Sequence, residues 1–212
     1  MVTTSHEASH RIFQEKPELL APIFRLLGAD VPEKASVEVL TPEATEIRVL
    51  ERRVDSVLRV TPCDGPPFLL AIEAQGRRDP DKERSWRYYL GFLESKHRMP
   101  ALLLVVCRDR ATAAWAAGPF ACAAQGWTAL TVRPMALGPD NVPVITDPEE
   151  AARDLTMATF SAMTHGNEPQ APAILEALAR ALGAVDPTSR DYYAELLEIG
   201  LGDSPARTTW RN

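Results

Sequence analysis

Apolar positions change period several times along the chain, and each change marks an element. Over residues 5–28 the spacing is helical, in one or two pieces. Ser5 caps the first piece, with Ile12 and Phe13 on its apolar face, and Pro17 fits the first turn of the second. Leu19, Leu20, Ile23, Phe24 and Leu27 recur at three- and four-residue steps, and Gly28 is a natural stop. Strand-like sequence follows: VEVL at 37–40, then β-branched residues mixed with charges over 46–60. CDGPP at 63–67 is a turn centred on Asp64-Gly65, and FLLAIEAQ at 68–75 is the returning strand of a β-hairpin.

From Asp79 to about Arg98 the period is helical again. Asp79 serves as N-cap, Pro80 occupies the first helical position, and Trp86, Tyr89, Leu90 and Leu93 form the apolar stripe. ALLLVVC at 101–107 is a continuous apolar run of strand length, which suits a central strand covered on both faces. RATAAWAAG at 110–118 is a short helix, and WTALTVRPMAL at 127–137 a further strand. A helix between two strands is a crossover unit, so the sheet is mixed and carries helices on its faces. After Pro148 the pattern is helical over 148–164, 171–183 and 187–200. The pattern predicts an α/β core over residues 1–146 with a mixed central sheet and flanking helices, followed by a helical C-terminal subdomain over 147–212.

Composition narrows the class only a little. With 212 residues, 45% hydrophobic and 25% charged, the chain is an ordinary globular one with enough length to bury a core. No apolar run approaches the ~20 residues that span a bilayer, and MVTTSHEASHRIF lacks the layout of a signal peptide, so a cytoplasmic protein with no membrane partner is expected. Cys63, Cys107 and Cys122 include no CxxC pair, which argues against a disulfide framework or zinc site; Cys107 and Cys122 are expected to be small buried hydrophobes. A net charge of −6 speaks against a surface that grips nucleic acid everywhere, while leaving room for a local basic patch.

The hairpin holds the candidate chemistry. Alternation puts Leu69, Ala71, Glu73 and Gln75 on one face, and reflecting Asp55 about the turn brings it opposite Glu73. Two carboxylates so placed repel unless a cation neutralises them, and Mg²⁺ takes one or two carboxylates with retained waters. The ordinary alternative is that Asp55 faces solvent beside Arg52 and Arg53 while Glu73 pairs with Arg77 or Arg84. Arg77, Arg78, Lys82, Arg84 and Arg87 form a basic stretch suited to phosphate contacts, or else to ion pairs with Asp79, Asp81 and Glu83. Trp86 and Tyr89 belong to the core, whereas Tyr88 suits stacking on a base. His6 and His10 stand one helical turn apart, a spacing most often found on a polar face.

An Asp on the first hairpin strand (Asp55), an apolar strand ending in Glu73-Ala74-Gln75, a polar turn with Asp79, and a helix bearing Arg84 and Tyr88 resemble the PD-(D/E)XK phosphodiesterase superfamily. Within it the stretch from Ile47 to Arg98 is most similar to the recombination-promoting nuclease, or transposase-like, family; Ser5-His6-Glu7 and Phe13 resemble that family's N-terminal start. The resemblance implies a restriction-endonuclease-like core and a Mg²⁺-dependent (or Mn²⁺-dependent) DNA endonuclease linked to recombination or mobile elements. It implies metal ligation by Asp55 and Glu73 with help from Glu7, a water- or phosphate-positioning Gln75, and nucleic-acid contacts from Arg77, Arg84 and Tyr88. Ala74, Gly76 and Gln75 stand where relatives often have His, Ser and, in the wider superfamily, Lys. Gln carries no charge to stabilise an anion, so the alternative is a catalytically inactive relative working as a binding or assembly module. The C-terminal helices over 148–200 either carry a homodimer interface or pack on the sheet, and the sequence does not decide between them.

Overall fold

The computed structural model describes residues 16, 20–28 and 54–211. The expected strand at 37–40, the start of the strand at 46–60, most of the first helical stretch, and Glu7, His6 and His10 lie outside the described residues. Contacts divide the chain into two compact units: Arg52–Pro119 with Arg133–Asn212, and Met1–Glu51 with Phe120–Val132.

The larger unit is a mixed α/β structure. Its sheet contains β1 (Ser56–Val60), β2 (Phe68–Gln75), β3 (Ala101–Cys107) and β6 (Met135–Leu137), in the order β1-β2-β3-β6. β1 and β2 are antiparallel, with Ser56 opposite Ile72 and Val60 opposite Phe68. β2 and β3 are parallel, setting Glu73 beside Val105 and Gln75 beside Cys107, and β3 and β6 are also parallel. The β1–β2 connection spans residues 61–67, and Gly65 takes φ 117°, which a side chain would rarely tolerate.

α2 (Pro80–His97) returns the chain from β2 to β3 and packs on both. It starts where the sequence places it: the Asp79 side chain accepts the Asp81 N–H and Pro80 occupies the first turn. It ends at Arg98, in the left-handed region at φ 52°, where the N–H still reaches the Glu94 carbonyl. Trp86, Tyr89 and Leu93 are its buried stripe, and the Trp86 ring lies 5.3 Å from that of Trp115 on α3 (Arg110–Ala116).

β3 is central, but its two faces differ. Leu103, Val105 and Cys107 are buried, Leu104 and Val106 are half-buried, and Leu102 is exposed, so the expected two-sided cover is complete on one face only. The expected strand over 127–137 is in fact two. Pro134 has no N–H to give a ladder, and the chain breaks at Arg133-Pro134; the second piece joins the main sheet as β6.

The first piece, β5 (Trp127–Val132), pairs instead with β4 (Phe120–Ala124) in a separate two-stranded hairpin within the smaller unit. Gln125 and Gly126 turn it, both at positive φ (51° and 71°), the requirement of the tight turns that match strand twist. Cys122 on this hairpin is exposed, contrary to the expected burial: a two-stranded sheet exposes most of its side chains. Cys63 is also exposed, and Cys107 is buried as expected. The described part of this unit also holds α1 (Leu20–Leu26).

The chain after β6 forms α4 (Pro148–Arg153), α5 (Leu155–Thr164), α6 (Ala171–Leu182), α7 (Pro187–Leu201) and α8 (Pro205–Arg211), which belong to the same unit as the main sheet. The expected helix over 148–164 is divided at Asp154, whose extended φ of −146° ends α4 while its side chain caps α5 through the Met157 N–H at 2.9 Å. Ile174, Leu178, Leu197 and Leu201 form the centre of the helical core, with alanines at 151, 158, 162 and 181 between them. Gly200 lies against the Met163 thioether, where a Cβ would overlap it. Ser161 ties the preceding loop to α5: its hydroxyl donates to the Pro143 carbonyl at 2.7 Å and accepts the Ile145 N–H at 3.3 Å. No helix among the described residues is long and apolar enough to cross a membrane.

Candidate metal centre

β2 alternates as its sequence reads, and Leu69, Ala71, Glu73 and Gln75 are all buried on one face. Among them Glu73 is a carboxyl group only 2% exposed, which demands a compensating partner. That partner is Lys82 from the first turn of α2, whose Nζ contacts Glu73 Oε1. Glu73 Oε2 is buried with no hydrogen-bond partner among the described residues.

Asp55 precedes β1. Extending the β1–β2 register by one pair sets it across from Glu73, and its Oδ2 accepts the Ala74 N–H at 2.8 Å. Asp55 is exposed and Glu73 buried, so the pair straddles the boundary between water and core. Burial pushes the Glu73 carboxyl above its usual range; hydrogen bonding to Lys82 and its charge pull it back, and the nearby Asp55 charge adds to the rise. At Lys82 burial works against the ammonium, but the Glu73 hydrogen bond and charge outweigh it and the pKa goes up.

Gln75 is 8% exposed at the end of β2, and its Nε2 donates to the Arg77 carbonyl. This fixes the amide orientation and leaves its oxygen and one remaining N–H for other partners. Arg77 and Arg84 are exposed; neither pairs with Glu73, the role that falls to Lys82. Tyr88 is exposed too and stacks on Phe92, with ring centres 6.0 Å apart and planes 15° apart, and Lys96 Nζ lies 5.5 Å from the Phe92 ring. Arg84, Tyr88, Phe92 and Lys96 thus recur every four residues along one exposed edge of α2.

The geometry brings together Asp55, Glu73 and Gln75, together with Lys82. The one signal for Lys82 as a member of this site is its spacing, four residues before Trp86 and seven before Tyr89, which aligns it with the stripe the sheet buries. Its acidic neighbours Asp79, Asp81 and Glu83 disguise it as part of a solvated helix start. Among the described residues no three His, Cys, Asp or Glu side chains are grouped as a metal cage. Two carboxylates still fit Mg²⁺, which keeps several waters and needs few protein ligands. The unsatisfied Glu73 Oε2 is the atom that fits such an ion best. No protein-family model, curated protein or solved structure matches the chain.

Proposed function

We propose that the protein is a Mg²⁺-dependent DNA endonuclease of the PD-(D/E)XK type, with Asp55 and Glu73 holding the ion. The observation that supports the reading is the buried Glu73, opposite Asp55 across the hairpin, with one oxygen on a lysine and the other unsatisfied. A divalent cation there lowers the pKa of its bound water and neutralises charge developing on a phosphodiester. Lys82 supplies the positive charge that Gln75 lacks, poised to shift from Glu73 towards an incoming phosphate. Gln75 offers its amide oxygen as acceptor to a water, held in place by the Arg77 carbonyl. The Arg84–Tyr88–Phe92–Lys96 edge gives two cations for phosphates beside an exposed aromatic pair. A role in recombination or mobile elements, and a homodimer through the C-terminal helices, belong to the same proposal.

The Lys82 contact also favours a second reading. A carboxylate neutralised internally by lysine needs no metal, and the protein is then an inactive relative that binds or assembles without cutting. Calorimetric titration of Mg²⁺ and Mn²⁺ into wild type, Asp55→Ala and Glu73→Gln, beside a plasmid-nicking assay, separates the two. Metal uptake and nicking that both vanish in the variants support the endonuclease. No uptake at all favours the inactive relative, in which Lys82 alone neutralises Glu73, and uptake without nicking keeps the metal centre but removes the endonuclease.

A further inference from the structure

A cleft of about 440 Å³ opens at the carboxyl ends of the parallel strands β2 and β3, walled on its other side by the end of α5. Its size is that of a site for one small molecule or one unit of a polymer. It lies close to the candidate metal centre because Gln75 belongs to both, two residues beyond Glu73 and so roughly 7 Å along the strand.

The lining is chemically selective. Arg108 brings a guanidinium that stays charged at any ordinary pH. The one carboxylate in the wall, Asp109, keeps its charge but is held at the start of α3 by the Thr112 N–H at 2.8 Å. Arg108 is the one cation in the lining that an anionic group would meet. Phe160 and Met163, both half-buried, form the apolar side, which suits a flat ring. Asn167, exposed at the rim, offers a donor and an acceptor for the polar edge of such a ring. The Cys107 thiol is buried and neutral at physiological pH, so it brings no second charge.

We infer that this cleft is a nucleotide subsite, in which Arg108 faces the phosphate, Phe160 and Met163 receive the base and Asn167 meets its edge. The step from nucleotide to nucleic-acid strand rests on the proposed nuclease reading. The lining offers one apolar wall, Phe160 with Met163, and one cation, Arg108, which is provision for a single nucleotide, so the strand entering the metal centre is unpaired at this position. The nucleotide next to the scissile phosphate is drawn out of its stack, and its energy of unstacking is offset by the ring contacts.

The test uses the full chain in EDTA, which removes metal from the question. Two probes are titrated separately: dAMP by calorimetry, and a fluorescein-labelled single-stranded hexadeoxynucleotide by polarisation. The proteins are wild type, Arg108→Gln, Asn167→Ala, Phe160→Leu and, as a control for loss of a surface cation outside the cleft, Arg153→Gln, each checked by thermal melting. Saturable binding of the hexamer that weakens about tenfold or more in Arg108→Gln and Phe160→Leu, and is unchanged in Arg153→Gln, supports the subsite. Arg108→Gln and Asn167→Ala alter exposed side chains, so the test survives if Phe160→Leu fails to fold. Binding of dAMP without the hexamer would overturn the strand assignment and leave a free-nucleotide site. Absence of saturable binding by either probe, or equal binding by all variants, overturns the subsite itself. If metal uptake and nicking fail while binding in EDTA persists with this pattern, the nuclease reading falls and the cleft stands.

Discussion

Glu73 sets the energetics at the residue scale. A carboxylate removed from water keeps its charge only through Lys82, and cutting that link leaves it uncompensated. Lys82→Met should destabilise the fold by about 2–3 kcal/mol, below the ~3–5 kcal/mol of fully buried pairs because Lys82 is partly exposed. Lys82→Met/Glu73→Gln should recover much of the loss in urea unfolding. The pH dependence follows from the raised Glu73 pKa: its contribution is present below the unfolded value and is lost as pH rises through the folded one. The urea midpoint of Lys82→Met should therefore fall more steeply than that of wild type as pH rises above the ordinary carboxylate range. A second residue-scale outcome concerns thiols. Burial, with the Asp109 charge, pushes Cys107 up to about 11, so it is a protonated thiol at pH 8. An aromatic disulfide reagent should titrate two cysteines quickly in the native protein, Cys63 and Cys122, and the third only on unfolding. Asp55, Glu73 and Gln75 were legible because strand alternation and reflection about a turn are local geometry. Lys82 required knowing which side of α2 meets the sheet.

At the scale of elements, the helix starts were the most legible. Asp-Pro opens α2, α4 and α7, at 79–80, 147–148 and 186–187, and in each the aspartate accepts a backbone N–H of the first turn. At Asp186 the Ser189 hydrogen bonds hold the carboxyl below its ordinary range, so the cap is retained above the unfolded pKa and lost as acid carries the pH through the lower folded value. The break at Asp154 was not legible, because apolar spacing continues across it. Asp154→Ala should cost about 1 kcal/mol by removing the α5 cap, read as a lower denaturation midpoint with an unchanged slope. The strand at 120–124 was hidden by its alanines, which favour strand poorly. The partners of β5 and β6 were hidden for another reason: which strand lies beside which is a long-range choice that no local period records.

For the whole molecule, the α/β class and mixed sheet followed from the succession of hairpin, helix and apolar strand, whereas the division into two units did not. A net charge of −6 concentrates any nucleic-acid affinity in local features such as the exposed α2 edge. Under the proposed function, Arg84→Gln/Lys96→Gln should weaken single-stranded DNA binding and flatten the slope of log affinity against log salt by about 1.4, two phosphate contacts' worth. An unchanged slope would remove that edge from the interface. The β4–β5 hairpin sets a limit of a different kind. From Phe120 to Val132 it has no charged residue, and Trp127 and Leu130 are half-exposed. An uncharged strand pair that shows large apolar side chains to water favours self-association, so the shelf life of a concentrated solution should be governed here, well before the helical core melts. Leu130→Lys should lengthen the lag before light scattering rises in stored samples while leaving the thermal midpoint of the larger unit in place.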